Sequence, residues 1–329
     1  MLAGFPLAGE VLLFWQTGDR FTMRPYETSS HIPLTGMLLL VFLCFLWGTN
    51  IVSIKVSNVS IPPLIAATTR SVVASFLLWL YGRLVDQPVA LPRGYGRHGL
   101  WLGLLFGGQF LFLYWGLSFT DASRAIIFLY VQPLVTVLMA HFVLPDDRLG
   151  LGKAVGICLA FVGLILVFGS GSRTLGEWYW VGDLMALGTG LLWAATNIYV
   201  KRFINTAPIT HFQTLFAQLF FSIPALAVGA LVLEWGRQIS PEPIAVAALA
   251  YQSIIVAFVT YLAWFRMMHQ YPVSRLTSFT FLTPLFGVIL GGVLLGEALT
   301  LFLWIGLGLV AAGIYLVNRP ADLGSRVAS

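Results

Sequence analysis

The fold is decided by two stretches, LWGTNIVSIK at residues 46–55 and LWAATNIYVK at residues 192–201, which share a Leu-Trp pair and, eight residues after the tryptophan, a lysine. Two further groups of residues recur in the same order, at offsets of 151 and 150. At the offset of 151, Ser123-Arg124, Pro133 and Asp146 are matched by Ser274-Arg275, Pro284 and Glu297. At the offset of 150, Gly156, Gly163 and Val167 are matched by Gly306, Gly313 and Val317. Landmarks that recur in one order predict two copies of one structural unit.

Around these stretches the sequence is a series of apolar runs separated by short polar breaks. A helix that crosses the hydrocarbon core needs about 20 mostly apolar residues, and runs of that length recur from residue 34 onward. We therefore predict an all-α integral membrane protein of about ten transmembrane helices. The predicted spans are 34–54, 64–84, 99–119, 123–143, 150–169, 180–200, 211–233, 244–265, 274–295 and 299–317.

The repeat and the spans together divide the chain into four parts. Residues 34–169 and 180–318 are the predicted first and second five-helix repeats, residues 1–33 an N-terminal tail and residues 319–329 a cytoplasmic tail. Residues 1–22 precede an ordinary start at Met23, and we interpret them as a disordered tail or an artefact of the assigned start. The short apolar stretch in this tail cannot span a membrane and lacks the basic region that opens a signal peptide.

The composition excludes several classes of function. Charged residues make up 9% of the 329 positions, against about 25% in an ordinary soluble domain. The formal net charge is +5, but Lys and Arg form no stripe with interleaved aromatics, so nucleic acid is not an expected partner. The cysteines and histidines lack metal-ligand spacing and no phosphate-binding loop occurs, so we predict no metal and no cofactor.

The number of spans in each unit sets the topology. Five is an odd number, so the second copy enters the membrane from the opposite side and the two repeats are inverted. Inverted repeats are the usual architecture of alternating-access carriers, because two similar halves rock about a site between them. Most loop Lys and Arg residues fall on the side of the N-terminus, which predicts an inner-membrane protein with both termini cytoplasmic.

These residues also resemble a known family, the drug/metabolite transporter superfamily and specifically its EamA-type permeases. The resemblance covers residues 36–169 and 181–318. The motifs that carry it are Trp47-Gly48-Thr49-Asn50, Arg70 and the Pro133 span in the first half, and Gly182-Asp183-Leu184, Leu192-Trp193-Ala194, the Pro284 span and Gly296-Glu297 in the second. One departure is Pro145-Asp146, where the family usually has Gly-Glu; the charge is kept and the turn differs.

The resemblance implies a secondary carrier, commonly an exporter of amino acids or other small metabolites. It also implies a central cavity lined by spans 1, 3, 4, 6, 8 and 9. The family does not fix the substrate.

Polar side chains inside the spans are the first candidates for a translocation path. Arg70 is the only Lys or Arg clearly within a span, where a charge is costly. It pairs with a substrate carboxylate, extends to the outer interface as a snorkelling side chain, or pairs with a carbonyl at a helix end. Trp47 with Asn50, and Trp193 with Asn197, each place an indole and a carboxamide about one turn apart. They line a cavity or join neighbouring helices.

Aromatic residues with a polar tip and prolines within spans complete the candidate path. A polar-tipped aromatic side chain can bound a substrate and also donate a hydrogen bond, although ordinary packing is the alternative reading. The aromatic candidates are Tyr114, Tyr130, Tyr261 and Trp264. Pro133 and Pro284 each remove a backbone donor in the middle of a predicted span. The freed carbonyl binds substrate or permits hinging, unless the kink only shapes packing.

The leading hypothesis is a secondary transporter that exports small metabolites such as amino acids by alternating access. Its rivals are a membrane-embedded enzyme and a flippase-like carrier acting on lipid-linked substrates. An enzyme of that kind should cluster Asp, Glu or His at one membrane face, and the sequence has no such cluster, so we predict no catalytic residues. Small-residue spacings such as Gly152 to Gly156 predict close helix packing, and homodimerisation through them is left open.

Overall fold

The structure is a computed structural model that describes residues 32–116, 119–120, 122–169, 177–204, 207–295 and 301–319. These residues form ten helical spans, numbered in chain order. They are α1 (Leu34–Ser57), α2 (Pro63–Leu84), α3 (Gly96–Gly116), α4 (Ala122–Leu129 and Gln132–Val143), α5 (Leu151–Phe168), α6 (Tyr179–Tyr199), α7 (His211–Leu233), α8 (Pro243–Tyr251, Gln252–Thr260 and Tyr261–Gln270), α9 (Val273–Phe279 and Leu282–Leu295) and α10 (Leu301–Asn318). The predicted tails lie almost wholly outside the described residues, as does Glu297.

The lengths of these helices confirm an all-α membrane protein of about ten spans. Nine helices of the described ranges are long and apolar enough to cross a membrane. The other, α6, has 21 residues, and Asp183 and Asn197 lower its mean hydropathy. Its end continues into a π-helical segment, Val200–Ile204.

Three of the described spans, α4, α8 and α9, are irregular in their middle, and in α4 and α9 the irregularity lies at the prolines that the sequence singled out. Pro133 lies in the first turn of the second segment of α4, and Pro284 is the third residue of the second segment of α9. A proline ring clashes with the carbonyl four residues earlier, so each helix ends before its proline and starts again. In α8 the middle segment, Gln252–Thr260, is a π-helix.

Two glycine pairs show that the repeats are inverted. Gly156, near the start of α5, faces Gly313, near the end of α10, while Gly163 faces Gly306. A Cβ atom on any of these glycines would lie under 3.0 Å from the facing glycine's carbonyl oxygen. The two helices are therefore antiparallel. Since they are the fifth helices of the two repeats, the repeats run through the bundle in opposite directions.

The contacts between the halves follow a pseudo-twofold axis. α4 packs on α6 as α9 packs on α1, and α3 packs on α6 and α7 as α8 packs on α1 and α2. α2 meets α7, and α5 meets α10, across the axis itself. Ser71 and Ser222, which are 151 residues apart, bring their hydroxyl oxygens to 3.5 Å at the α2–α7 contact. This arrangement surrounds the centre of the bundle with α1, α3, α4, α6, α8 and α9.

Candidate functional site

A cavity of about 130 Å³ lies at the centre of the bundle, which is room for about four water molecules at their volume in the liquid. Its wall is built from α1, α3, α4, α6, α8 and α9, the six spans that the family resemblance implied, with Gln218 added from α7. Eight of the 19 described residues that line it are aromatic. The cavity is thus enclosed jointly by the two inverted repeats.

The structure brings most of the sequence-predicted site residues to this cavity. Those that line it are Trp47, Asn50, Tyr130, Trp193, Asn197, Tyr261 and Trp264. Those placed behind the wall are Arg70, Tyr114, Pro133 and Pro284. Among the described residues, no cluster of His, Cys, Asp or Glu is arranged to hold a metal ion.

The tryptophans of the two repeated stretches both contribute to the wall, with different neighbours. The Nε1–H of Trp47 donates a hydrogen bond of 2.8 Å to the Thr260 hydroxyl. Its ring packs edge-on against Trp264 and Tyr261, with centroid distances of 5.3 and 6.2 Å. Trp193 packs edge-on against Tyr130 at 6.5 Å. Equivalent positions therefore supply one indole from each half.

Several polar atoms of the wall have no hydrogen-bond partner among the described residues. They are Asn50 Oδ1, Asn197 Nδ2, Gln218 Oε1 and Thr283 Oγ1, and all are buried. Buried polar groups are normally paired, and leaving one unpaired costs about 1–3 kcal/mol. All four belong to residues that line the cavity, so its wall offers unpaired polar groups. Sequence reasoning missed Gln218, although a glutamine within the apolar run 211–233 was a usable signal.

The two helix breaks meet at the same centre. Tyr130 lies in the break of α4 and Phe281 in the break of α9, 151 residues apart, with ring centroids 6.4 Å from each other. The Cys44 thiol donates a hydrogen bond of 3.2 Å to the Phe279 carbonyl at the break of α9. Gly190, which is 146 residues after Cys44, packs against the Leu129 carbonyl with no room for a Cβ atom.

Charged side chains join several helices on the face that contains the start of α9. Both backbone and hydroxyl of Ser274 donate to Asp147, with the backbone nitrogen 2.9 Å from Oδ2. Lys153 of α5 forms an ion pair with Asp147 at 2.5 Å. Lys201, just past α6, donates to the carbonyls of Met268 and Tyr271 at the end of α8. We refer to Asp147, Lys153, Lys201 and Ser274 as the Asp147 cluster.

The opposite face carries a similar carboxylate contact. Glu234, at the end of α7, accepts hydrogen bonds of 2.9 and 3.0 Å from the backbone nitrogens of Leu64 and Ile65. A carboxylate at the start of a helix is stabilised by the unpaired N–H groups and by the helix dipole. On each face, therefore, an acidic residue of one repeat binds the start of a helix of the other.

Burial perturbs Lys201, which lies beyond the membrane-spanning part of α6. Desolvation lowers its pKa from 10.5 to about 8, although Asp147 and Asp146 act in the opposite direction. The unfolded chain therefore binds more protons than the folded chain between about pH 8 and pH 10.5. Stability contributed by Lys201 consequently increases as the pH rises through this range.

The pH dependence of thermal unfolding tests this shift. For each protein we take the change in melting temperature from pH 7 to pH 10. We expect this change to be about 3 °C more positive in the wild type than in Lys201→Met. Buried tyrosines titrate in both proteins and cancel in the difference. The same pH dependence in both proteins would show that Lys201 has an ordinary pKa.

Arg70 is not a snorkelling side chain, because it is only 1% exposed. Its Nη2 atom donates a hydrogen bond of 3.2 Å to the Tyr261 hydroxyl. Its guanidinium lies over the Phe110 ring, with Cζ 4.2 Å from the centroid. The sequence reading that sent this arginine to the outer interface is therefore wrong.

Comparison with known families and proteins agrees with this architecture. The model of the EamA-like transporter family matches this chain at residues 34–169 and 180–319. The chain is 29% identical over 278 residues to a probable amino-acid metabolite efflux pump of Salmonella typhimurium, covering 82% of this chain and 90% of that protein. It is 22% identical over 292 residues to YoaV, an uncharacterised transporter of Bacillus subtilis, covering 85% and 95% of the two chains.

A solved crystal structure shows the same fold. Its TM-score to this structure is 0.73 at 21% sequence identity, over 88% of this chain and 98% of that chain. The likeness extends through both five-helix halves.

Proposed function

This chain belongs to the EamA-like transporter family, and we propose that it is a secondary transporter that exports small metabolites such as amino acids by alternating access. Membership makes it a multi-pass membrane protein with a small-molecule substrate. The proposal places it in a bacterial-type inner membrane with both termini cytoplasmic. It also keeps the division into repeats at residues 34–169 and 180–318.

The observation that carries this proposal is the set of unpaired polar atoms in a cavity between two inverted repeats. Such a cavity suits a polar small molecule, and inverted repeats suit a site that opens to either side. A volume of about four water molecules favours a small metabolite over a lipid-linked sugar. A probable amino-acid metabolite efflux pump of Escherichia coli is 26% identical to this chain over 287 residues. Amino acids are therefore the first class of substrate to test.

Under this proposal the site residues have separate roles. Trp47, Trp193 and Tyr130 provide apolar surface, while Asn50 and Asn197 offer hydrogen bonds to the substrate. Tyr261 and Trp264 complete the aromatic wall and hold Trp47 in place. Pro133 and Pro284 keep the two central breaks from closing into continuous helices. Tyr114 lies behind the wall.

Opening to either side requires that contacts on one face be exchanged for contacts on the other. The Asp147 cluster joins α5, the start of α9 and the ends of α6 and α8 on one face. Glu234 holds the start of α2 on the opposite face. We propose that these contacts form and break in turn during transport.

Counterflow in liposomes tests the proposed function directly. Purified protein is reconstituted with unlabelled amino acid inside, and uptake of labelled amino acids, amines and sugars is measured. We expect at least one amino acid to accumulate well above the level in protein-free liposomes. If no solute in the panel does so, the chain is not a carrier of these classes.

Removing one cavity indole should slow transport without unfolding the protein. Trp193 lines the cavity and packs on Tyr130, so Trp193→Ala removes substrate-facing surface. We expect the rate to fall about tenfold, which corresponds to about 1.4 kcal/mol of lost binding. The matched control is Trp180→Ala, since Trp180 lies on the same helix and is 49% exposed. Equal rates in the two variants would remove Trp193 from the path.

A further inference from the structure

Arg70 is a buried cation with no carboxylate partner among the residues that the structure describes. Its side chain is 1% exposed, and its Nε and Nη1 atoms have no hydrogen-bond partner there. The Nη2 atom donates to the Tyr261 hydroxyl at 3.2 Å. A buried charge without a counter-charge is costly, so this arginine is not explained by the stability of the fold.

Aromatic rings surround the guanidinium and separate it from the cavity. Its Cζ atom lies 4.2 Å from the centroid of Phe110, 5.5 Å from Tyr261 and 5.9 Å from Phe106. These three rings also line the cavity. A single layer of side chains therefore stands between the charge and the space where a substrate would bind. Cation–π contacts offset part of the desolvation of Arg70 but supply no negative charge.

A second unpaired donor lies at the same place. The Tyr114 hydroxyl is close to the Arg70 guanidinium, is buried and has no hydrogen-bond partner among the described residues. A carboxylate beside Arg70 could accept hydrogen bonds from an unpaired guanidinium nitrogen and from the Tyr114 hydroxyl. Planar guanidinium groups bind carboxylates through two parallel hydrogen bonds from adjacent N–H groups. At Arg70, one of the unpaired nitrogens and the N–H of Nη2 that does not bind Tyr261 form such a pair.

We propose that Arg70, with Tyr114 and Tyr261, forms a recognition site for the carboxylate of the transported molecule. The rings of Phe110 and Tyr261 turn aside to admit the carboxylate, and the aromatic wall of the cavity holds the apolar body. This inference rests on the proposed function and narrows its substrate class to small organic acids, amino acids included. Neutral isosteres of the same size leave the arginine unpaired and bind weakly.

A thermal-shift experiment in nanodiscs tests the site with two probes of nearly equal size and shape, one anionic and one neutral. They are 3-phenylpropionate and its neutral amide, 3-phenylpropionamide. We expect the carboxylate to raise the melting temperature of the wild type by several degrees and the amide to leave it unchanged. Equal shifts with both probes, or no shift with the carboxylate, overturn the proposal.

Variants assign the effect to Arg70. In Arg70→Gln we expect the carboxylate shift to vanish, and the melting temperature without probe to stay the same or rise because a buried unpaired charge is gone. Arg70→Lys keeps the charge and should keep a reduced shift. The matched control is Arg83→Gln, at the exposed end of the same helix, which should keep the full shift. A less stable Arg70→Gln protein would show that the arginine is structural and overturn the proposal.

Counterflow of the same probes separates this inference from the proposed function. Transport of both probes at equal rates retains the carrier and overturns the carboxylate site. A carboxylate-dependent thermal shift without transport of any solute retains the site and overturns the carrier. We expect wild-type protein to transport the carboxylate at least tenfold faster than the amide, and Arg70→Gln to lose this preference.

Discussion

Replacing Gly313 with leucine is expected to reduce the yield of folded protein at least tenfold. The Gly313 Cα packs against the backbone of Gly156, and a Cβ atom added there would overlap its carbonyl oxygen and contact Ala160 at 2.9 Å. The α5 and α10 backbones cannot move apart to make room for the leucine without also breaking the second contact, between Gly163 and Gly306. Inserting a bulky side chain into a close-packed interface costs about 1–3 kcal/mol and sometimes more, and close approach of backbones stabilises membrane helix pairs.

The measurement is the monodisperse fraction of a fluorescent fusion in detergent, determined by size-exclusion chromatography. Gly308→Leu is the matched control, because Gly308 lies on the same helix and a Cβ atom there meets nothing within 4 Å. We expect this control to behave as the wild type. Normal folding of Gly313→Leu would mean that α5 and α10 do not pack through these glycines.

Neutralising Asp147 is expected to open the face of the bundle that it holds together. Asp147 is 3% exposed and binds the start of α9 as well as Lys153. Removing one partner of a buried ion pair costs about 3–5 kcal/mol, and the lower end applies here because the Lys153 side chain is 18% exposed. Since 1.4 kcal/mol corresponds to a factor of ten, Asp147→Asn should raise the open population of this face by at least about a hundredfold.

The native thiol Cys44 reports this opening. It is 0% exposed and lies in the core of the bundle, next to the break of α9, while the second thiol, Cys158, is exposed. In a Cys158→Ser background, we expect a water-soluble maleimide to label Cys44 much faster in Asp147→Asn than in the parent protein. Asp146→Asn, which alters the exposed neighbouring carboxylate, is the control and should leave labelling unchanged. Slow labelling of both would show that the cluster does not hold this face closed.

The sequence predicted the architecture well because membrane spans and repeats are written in local patterns. Apolar runs gave the helices, and the offset of 150 between Gly156 and Gly306 led to helices that pack on each other. The irregular centre was harder to predict. Whether Pro133 kinks or interrupts its helix depends on what surrounds the freed carbonyls, and at the equivalent break of α9 the thiol of Cys44 provides that partner. This contact joins positions 235 residues apart.

The site was predictable only in part, for a similar reason. Trp47 and Trp193 stood out because they repeat, and both line the cavity. The direction of the Arg70 side chain depends on which face of α2 packs on α3 and α8, and composition alone cannot decide between lipid and protein. Gln218 was overlooked because α7 was not among the spans implied by the family resemblance.

The unequal contacts at the two helix breaks have an energetic consequence for a carrier of this design. With two identical halves, exchanging their conformations would leave the free energy unchanged, and inward-open and outward-open states would be equally populated. Here the thiol of Cys44 donates a hydrogen bond to a carbonyl at the break of α9. At the break of α4 the equivalent residue is Gly190, which has no side chain and packs directly on the backbone. Each 1.4 kcal/mol by which such contacts differ changes the ratio of the two states tenfold. The side of the membrane that the resting protein faces is thus encoded in the differences between its repeats.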